Sequence, residues 1–497
     1  MDRNTLAWCA FGAYVLLTTA LAIRGMRKTS SFEGFALGNK DLGPGMVGIT
    51  LAAAIASTAT FVINPGFVYG HGIGALMHFG VAASAGVITA LIVLSRGFRK
   101  LGEKTSALTL PHWIGARYDH AGMRTYFALL NLLLAIAFVV LIVKGSALVM
   151  QHTLGLGYVA SVLVIVGFVF SYVLLGGTYA HVYTNAFQGG LMVVVALAIV
   201  GSGAYLFADG LGPFFDRIAE QDANLVGLVN PESPLFGSVW DVFVCGFVVG
   251  AGLMCQPHIL MKSLYLKSER DLNRYLAVAV VVGIIFAGVL MAGLYARVRF
   301  PGIEAQDEVM PIYLTRAFSP TVGVLISVAL LAAGMSTLDG MLIGASTIAA
   351  NDIFLGRIGD RWLGDKSETD RQQVALKASR WILVALGVVS GGLALDPPQL
   401  VGIFAQVGIY GLVAASLVPV TLGILKDQVD SRLVFLAALV GPAVHFVHYL
   451  TAVYGFGQFV NPASTATEGV IASFAVYGIG ALVLRMRRPG TLVASPR

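Results

Sequence analysis

Charge is what this sequence has least of. Only 12% of its residues are Asp, Glu, Lys or Arg, against about 25% in soluble domains. Together with a hydrophobic share of 57%, that scarcity excludes an ordinary soluble enzyme. The formal excess of +6 does not make a nucleic-acid binder, because the basic residues cluster between apolar runs, as in cytoplasmic loops. Cysteine is scarcer still. Cys9, Cys245 and Cys255 are the three present, and their number and spacing support neither a disulfide framework nor a thiolate metal site. No HExxH occurs, and Asp339 has no second carboxylate within its own helix, which argues against an intramembrane hydrolase. The polar stretches, roughly 96–125, 209–238, 296–321 and 350–380, leave no room for an appended soluble domain. What remains is an all-α integral membrane protein whose main surroundings are the lipid bilayer.

Runs long enough to span can be read at about 6–23, 43–72, 74–95, 126–150, 157–175, 187–208, 239–261, 276–295, 322–349, 381–396, 400–425, 434–454 and 470–484. These make about 13 transmembrane helices. The first run ends in TTALA, which imitates a cleavage site, yet Arg24, Arg27 and Lys28 follow it while only Arg3, offset by Asp2, precedes it. It reads as an uncleaved span with its N-terminus outside. Most of the 32 Lys and Arg residues then fall in loops on one side, which puts the C-terminus in the cytoplasm. In the 209–238 stretch, FADGLGPFFDRIAEQDAN suggests a short amphipathic helix.

The chemistry concentrates in Leu331 to Thr347, LAAGMSTLDGMLIGAST. It is apolar enough to cross a bilayer, yet holds Ser336, Thr337 and Asp339 at its middle. A carboxylate at that depth is costly unless it meets a cation, water or a partner. On a helix, Ala333, Ser336 and Thr337 fall at i, i+3 and i+4, so one face offers a carbonyl and two hydroxyls. Hard oxygen ligands of this kind suit an alkali or alkaline-earth cation rather than a transition metal. Helix–helix glue is the other role open to the two hydroxyls.

Two spans read as broken. The first, 43–72, gathers Ser57, Thr58, Thr60, Phe61 and Asn64 ahead of Pro65-Gly66, and the second, 239–261, holds Gly246, Gly250-Ala251-Gly252 and Gln256-Pro257-His258. Interrupted segments at corresponding positions of two halves point to an inverted-repeat transporter, with repeats at 43–208 and 239–425 and peripheral helices in 1–42 and 426–497. A simple proline kink remains open for each. His258 is read as lining a cavity or capping backbone. His78, His445 and His448 are read as packing residues, and Lys144 as snorkelling from the outer end of its span or attracting an anionic solute.

Five stretches resemble the sodium/solute symporter family. Phe35-Ala36-Leu37-Gly38-Asn39-Lys40-Asp41-Leu42-Gly43 is similar to its F-x-G-G-R-x-L-G entry to the second span, and SALTLPHWIGARY, Ser106 to Tyr118, to its T-x-P-D-Y-x-x-x-R-Y segment. Leu175-Gly176-Gly177 with Tyr183-Thr184-Asn185-Ala186-Phe187-Gln188 resembles G-G-x-x-A-V-x-x-T-D-x-x-Q. Gln256-Pro257-His258-Ile259-Leu260 resembles a run of the proline branch, and Met335-Ser336-Thr337-Leu338 with Asn351-Asp352-Ile353 the most telling helix.

The resemblance implies a leucine-transporter-type fold of five-plus-five inverted repeats and symport of sodium with a small organic solute. A pantothenate-like, monocarboxylate or proline-like carboxylate is expected before a sugar. It implies a main sodium site from the carbonyls of Ala53, Ala56 and Ala333 with the hydroxyls of Ser336 and Thr337. The solute pocket is expected around Ser57, Thr58, Thr60, Phe61, Gly250, Gln256 and His258. Sodium is the coupling ion and no organic cofactor is expected. The setting is a bacterial inner (plasma) membrane, and the chain is expected as a monomer or loose dimer. Asn185 stands where the family usually has Asp. The expectation is that the carboxylate has moved to Asp339, which then serves a second sodium or a proton, or else forms a structural ion pair. A proton-coupled carrier run by Asp339 and a transporter-like solute sensor are the rival readings.

Overall fold

The structure is a computed structural model that describes residues 2–29, 31–37, 42–359, 367–397 and 401–487. Residues 38–41 of the motif before the second span, Arg361 and Lys366 of the charged loop, and the basic residues Arg488 and Arg497 lie outside them. Among the described residues the regular structure is entirely helical. Ten helices are long and apolar enough to cross a bilayer, or up to twelve if each of two bent pairs is one span, and Tyr158–Leu174 is a shorter apolar helix.

Burial separates the centre from the periphery. In Pro320–Gly356 and Val401–Leu425, 83% of the most apolar window is buried, whereas in the other spanning helices the share lies between 22% and 50%. The central helix Pro320–Ile348 packs against Tyr158–Gly201, Ala121–Leu154, Pro44–Ile55 and Arg3–Met26. Small residues permit this closeness. A Cβ on Gly334 would overlap the Ser146 hydroxyl, so that crossing requires glycine.

Both spans read as broken are broken. Pro44–Ile55 is followed by Ala59–His71 at 54°, and Trp240–Leu253 by Pro257–Tyr265 at 64°. In the first, Ala56 leaves helical geometry (φ −84°, ψ 74°). The Ser57 hydroxyl then caps the second half by accepting from the Ala59 N–H at 3.1 Å. In the second, Pro257 pushes the preceding Gln256 into an extended conformation (φ −75°, ψ 143°) and itself opens the new helix.

One boundary differs from the sequence reading. The runs 157–175 and 187–208 were separated by a polar gap, but the helix spans Tyr158–Gly201 with its single non-helical residue at Gly177 (φ 54°, ψ −147°). That conformation favours glycine, and a Cβ there would strike the Phe35 ring. The second helical half therefore starts at Gly177, and the polar run Thr178 to Asn185 lies inside the bundle, where Thr178, His181, Thr184 and Asn185 are buried. The expected amphipathic helix is present as Leu211–Ala219, with Phe214 and Ile218 buried.

Candidate functional site

The first cluster forms where the break of the first span meets the central helix. In an unbroken helix the Ser57 N–H would bond the Ala53 carbonyl, but here it donates to the Ile55 carbonyl at 3.1 Å. The carbonyls just before the break are thereby released toward Ser336 and Thr337. Ser336 Oγ lies 3.1 Å from the Ala53 carbonyl and 3.0 Å from that of Ala333. Thr337 Oγ1 lies 3.2 Å from the Ala54 carbonyl, 3.4 Å from Ala53 and 3.5 Å from Ala333. Three carbonyls thus converge with two hydroxyls, all buried. Two hydroxyl protons cannot satisfy every lone pair, so the cluster is oxygen-rich, carries no formal charge and suits a hard monovalent cation. The sequence reading named Ala53 and Ala56 as donors. In the structure Ala54 carries the second carbonyl, because the helix persists to Ile55 and Ala56 serves as its C-cap, donating its N–H to Ala52.

Beside this cluster is a cavity of about 120 Å³ between the two broken spans and Val401–Leu425, with polar lining from Ser57, Thr60, Asn64, Gln256, Gln406 and Tyr410. His258 and His78 also reach it, and among the described residues no Asp, Glu, Lys or Arg does. Ala54 belongs to both the cavity wall and the oxygen cluster. Of the expected pocket residues, Ser57, Thr60, Gln256 and His258 line the cavity. Thr58 instead meets the Ser146 hydroxyl at 3.4 Å. Phe61 packs edge-on against Phe286 at 5.3 Å between ring centres, and a Cβ on Gly250 would overlap the Ala83 carbonyl. These three are packing positions. Gln406 and Tyr410 were missed because they sit in an otherwise apolar run.

The second cluster surrounds Asp339. His181 Nδ1 lies 2.7 Å from Asp339 Oδ1. Tyr172 donates to Oδ2 at 3.2 Å, and Thr184 Oγ1 lies 3.3 Å from the same oxygen while its shortest acceptor is the Ala180 carbonyl at 2.9 Å. Lys262 Nζ lies 2.5 Å from His181 Nε2. With Lys262 charged, its ammonium only donates, so that Nε2 accepts and Nδ1 carries the proton toward Asp339. Asp339 is 0%, Lys262 1% and His181 2% exposed, so the chain's own charges balance inside the bundle. Asn185 Nδ2 donates to the Ser336 carbonyl at 2.9 Å, while its Oδ1 has no hydrogen-bond partner among the described residues. Neither His181 nor Lys262 was singled out from the sequence. His181 lies between the apolar runs 157–175 and 187–208, and Lys262 directly follows the run 239–261, so each has the look of a loop residue.

Ion pairs mark both ends of the bundle. At one, Arg124 Nε and Thr109 Oγ1 each lie 2.6 Å from Asp352, joining two of the family-like stretches. Nearby His112, outside the spans, is pushed down to about 4 by burial, with the Arg124 guanidinium adding to the shift. At the other, Lys144 pairs with Asp307 at 2.9 Å on the wall of an open cavity of about 910 Å³. Lys144 is therefore a paired residue rather than a snorkelling one. His445 packs as expected, bonded to Thr465 at 2.8 Å and to the Val407 carbonyl at 2.9 Å.

Broken spans that meet at a polar centre beside a cavity are the build of a membrane transporter. The model of the sodium:solute symporter family matches residues 35–441, and the chain belongs to that family. It is 27% identical over 400 residues to the sodium/pantothenate symporter of Haemophilus influenzae, covering 80% of each chain. It is 26% identical to the sodium/pantothenate symporter of Escherichia coli, over 88% of this chain and 89% of that one. Similarity to the sodium/proline symporter of Staphylococcus aureus is 25%, over 80% and 76%. The fold is shared with a Na+-coupled sialic acid symporter solved in a substrate-bound outward-open state, at a TM-score of 0.75 and 17% identity, covering 97% of this chain and 98% of that one.

Proposed function

We propose that the chain couples sodium entry to uptake of a small carboxylate, of the pantothenate, monocarboxylate or proline kind, across a plasma membrane. The observation that carries this reading is the double role of Ala54, whose carbonyl faces Thr337 while its residue walls the cavity. A sodium ion held by Ala53, Ala54, Ala333, Ser336 and Thr337 stands at the edge of the solute site. With no charged side chain in that wall, the sodium supplies the positive field that a carboxylate needs. Sodium also joins the first broken span to the central helix, so it favours the arrangement in which these two are in contact. Coupling follows, since an ion shifts a conformational equilibrium only by binding one state better than the other. The repeats 43–208 and 239–425 would rock about this centre, with thirteen spans, the N-terminus outside and the C-terminus in the cytoplasm. One elementary charge crossing 100 mV supplies about 2.3 kcal/mol before any concentration gradient is added.

The test is the melting temperature of the detergent-purified protein across a carboxylate panel of pantothenate, lactate and proline, in sodium and in potassium. Ligands of the folded state stabilise it by mass action. A stabilisation by one carboxylate that requires sodium is expected. Ser336→Ala or Thr337→Ala, each removing a charge-assisted contact of about 1.5–3 kcal/mol, should raise the sodium requirement roughly 10- to 100-fold. Stabilisation indifferent to sodium would overturn the reading, and uptake by proteoliposomes separates transport from solute sensing.

A further inference from the structure

The Asp339 cluster has the form of a cation site whose cation is already part of the chain. We infer that Lys262, acting through His181, is a built-in cation that answers the Asp339 carboxylate, and that the protein for this reason binds one sodium ion rather than two. The inference rests on the sodium-coupled reading and adds to it the number of ions and the residues that set it.

A fully buried carboxylate requires a compensating positive charge. Three sources are conceivable here: a mobile cation, a bound proton, or a side chain. The geometry supplies the third. Lys262 Nζ sits 2.5 Å from His181 Nε2, and His181 Nδ1 sits 2.7 Å from Asp339 Oδ1. The imidazole is fixed as a bridge, accepting from the ammonium on one side and donating to the carboxylate on the other. The surrounding oxygens are those that a cation would use: the hydroxyls of Tyr172 and Thr184 against Oδ2, and the partnerless Oδ1 of Asn185 one turn from His181. The Tyr172 hydroxyl is turned as a donor to the carboxylate. The space beside His181, between Gly340 and His258, is a cavity of only about 20 Å³, room for little more than a water molecule. What answers the carboxylate of the second polar centre is therefore the ammonium relayed through His181. The first, by contrast, contains oxygens only.

The arrangement also sets what moves with what. Lys262 is carried by Pro257–Tyr265, the second half of the second broken span, His181 by the helix after Gly177, and Asp339 by the central helix. One charge chain spans all three elements. Displacing the second broken span separates the ammonium from the carboxylate it neutralises.

The test counts sodium directly, by equilibrium binding of radioactive sodium to the purified full-length protein at pH 6.0, with potassium keeping ionic strength constant. The native chain should bind one ion. Lys262→Met leaves Asp339 without its counter-charge and should bind two. Lys262→Met/Asp339→Asn removes both charges and should return to one, as should Asp339→Asn alone if the carboxylate is no sodium ligand. A purely structural ion pair would not change the count. Two ions in the native chain, falling to one in Asp339→Asn, would make Asp339 a sodium ligand and overturn the inference; so would one ion in Lys262→Met. If Lys262→Met does not fold, Lys262→Gln, which removes the charge but keeps a polar group beside His181, takes its place: two ions support the inference and one overturns it. No sodium bound by the native chain would instead overturn the sodium-coupled reading itself, and this inference with it.

Discussion

Ser336 and Asp339 stand three residues apart on one helix, and their surroundings are opposite in kind. Around Ser336 the chain gathers carbonyl and hydroxyl oxygens and no charge. Around Asp339 it gathers a carboxylate, an imidazole and an ammonium that together need nothing from outside. The difference shows that a buried polar cluster is not by itself a site for a mobile ion. A neutral oxygen cluster has lone pairs to spare and can take a cation and give it up again. A cluster with its own counter-charge can be opened only by moving the element that carries that charge.

The largest way to break this contrast is to remove one of the two buried charges. In potassium, Lys262→Met or Asp339→Asn leaves its partner without compensation, which costs about 3–5 kcal/mol for a buried pair, and thermal unfolding should show a fall of that order in each. The double variant should recover most of the loss, giving a coupling in the double-mutant cycle that surface pairs do not reach. If the Ser336 cluster depended on the same charges, the double variant would lose sodium-dependent stabilisation as well; the neutral oxygens of that cluster predict that it keeps it.

A middle-sized effect tests how the Asp339 cluster is assembled. Gly177 holds a positive φ of 54°, and the turn it permits directs His181, one helical turn on, toward Asp339. Gly177→Ala meets both the backbone restriction and the Phe35 ring, and should destabilise by about 1–3 kcal/mol. Phe35→Ala costs about 3–5 kcal/mol by itself, as the loss of a fully buried ring, but it removes the steric part, so Gly177→Ala should cost less in that background than in the native chain. An equal cost of Gly177→Ala in the two backgrounds would locate the whole effect in the backbone.

The contrast between the clusters also explains what the sequence could and could not disclose. Ser336, Thr337 and Ala333 were legible because small hydroxyls at helical spacing scarcely interrupt an apolar run. Both breaks were legible because Pro and Gly leave local marks, although the exact carbonyls depended on where the helix ends, and Ala54 rather than Ala56 faces Thr337. Asp339 was visible as a carboxylate at membrane depth, but its partners were not. His181 and Lys262 lie on other elements, 158 and 77 positions away, and each lowers hydropathy enough to look like loop. A polar residue compensated only by tertiary contacts has no signature in its own neighbourhood. The same reasoning covers Thr58, Phe61 and Gly250: they share a segment with the pocket, but the side of the helix each faces is set by neighbours that the segment does not contain.

The smallest effect belongs to a charge pair outside both clusters. Lys144 and Asp307 are each 13% exposed at the side chain and line the open cavity at one end of the bundle. Water reaches them, so their attraction is screened in a way that the Lys262–His181–Asp339 chain is not, and such pairs contribute about 1 kcal/mol or less. Lys144→Met should lower stability by no more than that, with the difference shrinking as salt rises from 0.05 to 0.5 M, roughly the range over which the Debye length falls from above to well below 10 Å. The loss in Lys262→Met should hold nearly constant over the same range. Equal salt dependence in the two variants would mean that water penetrates to Asp339, and the distinction between a closed charge chain and an open rim pair would no longer stand.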